Sequence, residues 1–174
     1  MCREVSALME TKGNRRHVFI SHHHADDAEV SKLSELLAKH GYDIRNSSIR
    51  AKPANQRRLD QGLVKDETIR RLLRMKISWA STVVVLVGKD THERQWVNWE
   101  IEQANRQGKR IVGVYVRGGT EVDLPPALEK YASSRIVGWN ADAVIDAIDD
   151  KSNLFQNSDG SISQNAQPAT TTKC

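Results

Sequence analysis

Three short stretches of this chain carry side chains able to do chemistry. Ser21-His22-His23-His24-Ala25-Asp26-Asp27 sets a hydroxyl, imidazoles and carboxylates side by side, and Gly88-Lys89-Asp90-Thr91-His92 sets a cation beside a glycine turn. The third is Trp96-Val97-Asn98-Trp99-Glu100-Ile101-Glu102. On a helical wheel Val97, Ile101 and Ala104 form one stripe, and Glu100 flanks it one turn beyond Trp96. A carboxylate there is partly withdrawn from water beside an aromatic plate, whereas Glu102 points to solvent. The same spacing also allows two plainer arrangements, an ion pair of Glu100 with Arg94 or Lys109 and simple packing of Trp96. A metal site is a poor reading of the histidines, because adjacent side chains at a strand end diverge. Asp26, Asp27 and Asp90 are the only acids a Mg²⁺-dependent nuclease could use, and helix capping accounts for them.

The elements that must position these residues alternate. His17 to Ser21 reads as a short buried strand, followed by a helix over Ala25 to His40 with Val30, Leu33, Leu36 and Leu37 at helical spacing. Gly41 is placed to stop that helix, and Tyr42 to Arg45 is a weaker second strand. After a polar stretch, Asn46 to Lys65, an amphipathic helix is expected over Asp66 to Ala80. Thr82 to Val87 is apolar on both faces, as a central parallel strand should be. A helix over Glu93 to Gln107 and a strand over Arg110 to Val116 follow. A short helix near Ala127 to Tyr131, a strand over Arg135 to Trp139 and a helix over Ala141 to Asp149 complete the pattern. Strands alternating with helices predict an α/β, flavodoxin-like three-layer sandwich with a five-stranded parallel sheet in the order 2-1-3-4-5. In such a sheet ligands bind beyond the carboxyl ends of the strands where the winding reverses. The loops after the first and third strands meet there, and they are the first two stretches above.

The chain has 174 residues, 39% of them hydrophobic and 28% charged. That balance suits a single domain with one core. The expected division is a loose arm over 1–14, a domain over 15–150 and a disordered tail over 151–174, rich in Ser, Thr, Asn and Gln. The longest apolar run is Thr82 to Val87. It is too short to cross a bilayer, which takes a far longer apolar segment. With no apolar leader segment, and with Cys2 and Cys174 at opposite ends, a reducing cytoplasm is the expected location. Nucleic acid is a weak partner reading despite a net charge of +4, because acids and bases are mixed and aromatics make up only 5%. One basic run, Arg45 to Arg58, reads either as a solvated loop or as one that faces phosphate.

The residues carry a resemblance. VFISHHHADDAEVSKLSELL resembles the first strand and helix of a TIR domain, and ISWASTVVVLVGKDTHERQWVNWEIEQANRQGKRIVGVYV resembles its third strand, catalytic helix and fourth strand. More narrowly, the chain is similar to the bacterial TIR-like family that includes the signalling subunit of the Thoeris anti-phage system. The match runs through Ser81, Val83, Val85, Leu86, Val87 and Gly88, then Trp96, Val97, Glu100 and Ile101, then Gly108, Ile111, Val112, Gly113 and Val114. It covers about residues 15 to 149. The resemblance implies cleavage of NAD between nicotinamide and ribose, with Glu100 as the required glutamate. It further implies an ADP-ribose-derived messenger, cyclic or conjugated, sensed by a separate effector protein. Activation by assembly into a homo-oligomer belongs to the same expectation. NAD enters as substrate, and no resident cofactor or metal is implied.

That chemistry is reasonable for one carboxylate. Nicotinamide leaves a pyridinium as a neutral molecule, so one of the two carboxyl groups of ordinary glycoside hydrolysis is not needed. What remains is an oxocarbenium-like ribosyl centre that a single carboxylate can stabilise. Trp96 would give a flat wall for a base, Ser21 and His22 would hydrogen-bond ribose or phosphate, and Gly88 and Lys89 with the basic loop would meet the diphosphate. Two other readings compete. A TIR module acting by association alone should lack the helix glutamate, which is present. A phosphoacceptor receiver needs acids after strand one and a lysine ending strand five, where this chain has Ser-His-His-His and Gly138-Trp139.

Overall fold

The computed structural model describes residues 16–46, 57–58, 60–131, 135–152 and 155–163. The arm over 1–14, most of the basic run and the chain beyond Ser163 lie outside the described residues. Strand β1 (His17–Ser21) leads through a 3-10 turn, His24–Asp26, into helix α1 (Asp27–Lys39), and β2 (Asp43–Asn46) follows. Next come α2 (Asp66–Trp79), β3 (Thr82–Val87), a 3-10 turn Thr91–Glu93 and α3 (Gln95–Arg106). Strand β4 (Arg110–Tyr115), α4 (Pro126–Lys130), β5 (Arg135–Val137) and α5 (Ala141–Ile148) complete the order.

The strands form one five-stranded sheet in the order β2-β1-β3-β4-β5, every pair parallel. This is the topology that the alternation of strand and helix predicts. Val83, Val85 and Val87 turn one way with Phe19, Ile111 and Tyr115, against Ile69, Leu73 and Ile77 of α2 and Val97, Ile101 and Ala104 of α3. Val18, Ile20, Val84, Leu86, Val112 and Val114 turn the other way, onto Val30, Leu33 and Leu37 of α1 and Val144, Ala147 and Ile148 of α5. Strand β3 is buried at every position because both of its faces carry a helix layer.

The structure differs from the sequence reading in two respects that matter. The helices α1 and α3 begin later than periodicity implies, since a 3-10 turn precedes each. Asp26 and Thr91 therefore sit in turns at the carboxyl end of the sheet, where the site loops lie. The second difference is a correction: residues 155–163, assigned by composition to a disordered tail, fold back on the edge strand. Gln156 N–H donates to Ile136 O at 2.7 Å, and Gly138 N–H donates to Gln156 Oε1 at 2.9 Å. Phe155 packs on the core, and Asn157 N–H reaches Ser161 O at 2.7 Å to close the turn. Composition misleads here because backbone groups make the fold of this segment, and one aromatic anchors it. An edge strand left open is a template for association, and this hairpin covers β5.

Candidate active site

Strand β1 sits between β2 and β3, with Ser21 in register with Val85. The chain leaves β1 and β3 in opposite directions, from β1 into α1 on one layer and from β3 into α3 on the other. This is the reversal point of the sheet. Alternation places Ser21 on the Phe19 side, facing the α3 layer, and His22 continues toward α1.

Glu100 comes to this point from α3. Val97, Ile101 and Ala104 seat that helix on the sheet, and Glu100 is itself only 1% exposed. The hydroxyl Ser21 Oγ donates to Glu100 Oε2 across 79 residues of chain, and Ser21 is fully buried. Lys109, one of the ion-pair partners that spacing leaves open, is engaged elsewhere, its Nζ donating to Ser78 O at 2.9 Å. Placing a carboxylate in the protein interior is unfavourable unless hydrogen-bond donors meet it. The burial of Glu100 is thus an organised feature, made by a helix face and a strand end.

The loop after β3 is tightly built. Gly88 N–H donates to Thr91 Oγ1 at 2.9 Å, and Thr91 Oγ1 donates to Gly88 O at 2.7 Å. Gly88 is buried, and a Cβ added to it would lie 2.5 Å from Asp26 Oδ1, so the loops after β1 and β3 touch at this glycine. Asp90 follows in the left-handed region at φ 60°. Its N–H donates to Asp123 Oδ1 at 2.8 Å, while Asp123 Oδ2 accepts from the Thr120 N–H at 2.8 Å. Burial pushes the Asp123 carboxyl up, but the Asp90 and Thr120 donors and the nearby His92 outweigh it and hold it below the usual carboxylate range.

The sequence-selected residues thus separate. Ser21 and Glu100 are joined, and Gly88 ends the neighbouring strand. Lys89 is exposed on the rim. His22 is buried and turned toward the other layer, with Nε2 3.1 Å from Asp27 Oδ1 at the start of α1. His23 bends to its own turn, Nδ1 accepting from the Ala25 N–H at 3.4 Å. Trp96 lies in the seam between α2 and α3. Its ring meets Trp99 edge-on at 5.6 Å, and the Arg70 guanidinium lies over it at 5.1 Å from the centroid. The flat wall expected from sequence is therefore covered on one face by a cation. Arg70 and Asp123 escape a sequence reading, because each acts on a partner in a different element and no local spacing marks them.

A parallel sheet in this order, with a helix-borne glutamate buried at its reversal point, is the layout of a TIR-like domain. Residues 19–121, more than half of the chain, match the family model described as Thoeris protein ThsB, TIR-like domain, and the chain belongs to that family. None of the curated proteins matches it. Solved structures similar to it include the CMP N-glycosidase BcmB of Clostridium botulinum, 14% identical with a TM-score of 0.48, over 77% of this chain and 98% of that one. No helix among the described residues is long and apolar enough to cross a membrane.

Proposed function

We propose that this protein cleaves NAD between nicotinamide and ribose and passes the ADP-ribosyl part on as a cyclic or conjugated nucleotide signal in anti-phage defence. The observation that carries the reading is Glu100, buried at the strand ends and held by the Ser21 hydroxyl. Membership of the Thoeris TIR-like family supports the same reading.

In this mechanism the bond from ribose C1′ to the pyridinium nitrogen breaks, and its electron pair stays with nicotinamide, which departs neutral. The positive charge left on the ribose is met by the Glu100 carboxylate in a site screened from water, where an oriented charge acts most strongly. Water or a nucleotide nitrogen or oxygen then bonds to C1′ and gives up its proton, with Glu100 as the base at hand. Lys89, exposed beside Gly88, meets the diphosphate in this reading. The product is sensed by a separate effector protein, and assembly of several copies switches the enzyme on.

The test is mass spectrometry of NAD incubated with the concentrated protein and with Glu100→Gln. Nicotinamide and one ADP-ribose-derived product are expected with the native chain alone. Equal product from both proteins overturns the assignment. A folded native protein that binds partners but yields no nicotinamide at any concentration favours association without catalysis.

A further inference from the structure

Ser21 has no exposed surface, and its hydroxyl donates to Glu100 Oε2. Both partners are fixed by regular elements. Strand β1 is paired on both sides, with Ser21 opposite Val85, and α3 is seated by Val97 and Ile101, 1% and 0% exposed. The Ser21 hydroxyl is committed to this carboxylate, so its effect on the reaction passes through Glu100.

We propose that Ser21 is the positioning residue of the site: its hydroxyl fixes the side-chain conformation of Glu100 and keeps it as the carboxylate. This deepens the NAD-cleavage reading and rests on it. A donor to a carboxylate oxygen favours the ionised form, because the protonated acid is the weaker acceptor. The same bond limits the rotation of Glu100, which sets where its charge meets the ribose. Other charged and titratable groups lie on the adjoining elements. Asp26 lies against Gly88, His22 faces Asp27 from the end of β1, and Arg70 of α2 covers Trp96. All of these are kept in the variants that test the idea.

The experiment compares the native protein with Ser21→Ala, and with Ser21→Thr and Ser21→Val, a pair of equal volume that differs in the hydroxyl. Two readouts are taken: kcat and KM for nicotinamide release from NAD, and the titration of Glu100 by infrared difference spectroscopy on ¹³C-glutamate protein, with Glu100→Gln identifying the band. Ser21→Ala is expected to lower kcat about 100-fold with KM changed less than about two-fold. It should also move the Glu100 midpoint and the acid limb of kcat to higher pH, and Ser21→Thr should recover most of both while Ser21→Val does not. A raised KM with native kcat makes Ser21 a substrate contact and overturns the proposal. So does an unmoved Glu100 midpoint, or Thr and Val variants that behave alike. If the native protein releases no nicotinamide, the NAD reading fails by itself, and the infrared titration still decides the role of Ser21.

Discussion

Asp123, on the turn after β4, accepts the backbone N–H of Asp90, on the turn after β3, at 2.8 Å. Its second oxygen accepts from the Thr120 N–H and hydroxyl, at 2.8 and 2.9 Å. One buried carboxylate thus fastens two loops at the carboxyl end of the sheet, immediately before the helix that carries Glu100. The folded pKa of Asp123 lies below its ordinary value. Its stabilisation is therefore fully present above the unfolded pKa of about 3.9 and is lost as pH falls through the folded value. Asp123→Ala is expected to lower unfolding free energy at neutral pH by about 1–3 kcal/mol, since two backbone donors lose their partner. Urea unfolding at several pH values checks this: the gap between native and variant should hold above about pH 4 and narrow only as pH falls from there through the lower folded value, and parallel curves would contradict it.

The two glycines that line these turns should respond differently to a methyl group. At Gly119 a Cβ would lie 2.0 Å from the carbonyl oxygen of Val87, a backbone atom inside the central strand region. At Gly88 the nearest atom is a side-chain carboxylate oxygen of Asp26 and not the main chain. Gly119→Ala is therefore expected to destabilise by about 3 kcal/mol or more and Gly88→Ala by about 1 kcal/mol or less. Thermal unfolding of the two variants gives the order, and equal losses would show that β3 yields more easily than its burial implies.

Residues 155–163 predict a boundary. A chain ending at Ser152 loses the Phe155 contact, the Gln156 bonds to β5 and the Ser158 N–H that donates to Glu121 at 2.6 Å. That backbone donor is the main reason the exposed Glu121 carboxyl sits below its usual range. The shortened chain should unfold about 2 kcal/mol more easily and associate through the bared edge of β5, whereas a chain ending at Ser163 should match the full protein. Unfolding and light scattering measure both effects, and equal behaviour of the two truncations would contradict the structural role.

Trp96 is expected to matter to both packing and turnover. Its contacts with Trp99 and Arg70 join α2 to α3. Trp96→Ala should therefore cost about 2 kcal/mol, less than the loss of a fully buried indole. Turnover on NAD should fall further than stability does. Trp96→Phe should keep most of both. A Trp96→Ala protein whose activity per folded molecule equals the native value would reduce the residue to packing.

Much of the fold was legible because burial leaves a periodic trace. The run Thr82–Val87 is apolar throughout as both of its faces are covered, and the stripe of Val97, Ile101 and Ala104 already sets Glu100 beside the sheet. The Ser21 contact was not legible, since hydrogen bonds between elements 79 residues apart leave no spacing in the chain. His22 looked equivalent to Ser21, yet one step along a strand reverses the face, and it pairs with Asp27 instead. Trp96 read as an open plate because a sequence does not show that Arg70, on another helix, lies over it. The segment around Phe155 was hidden by polar composition, its order coming from main-chain bonds that any residue can make.

If the Glu100 carboxylate breaks the nicotinamide–ribose bond, the single-turnover rate of nicotinamide release must collapse in Glu100→Gln. With folding verified by circular dichroism, the amide keeps the shape and removes the charge. A fall of about 10³-fold or more is expected. A variant releasing nicotinamide at the native rate would contradict it.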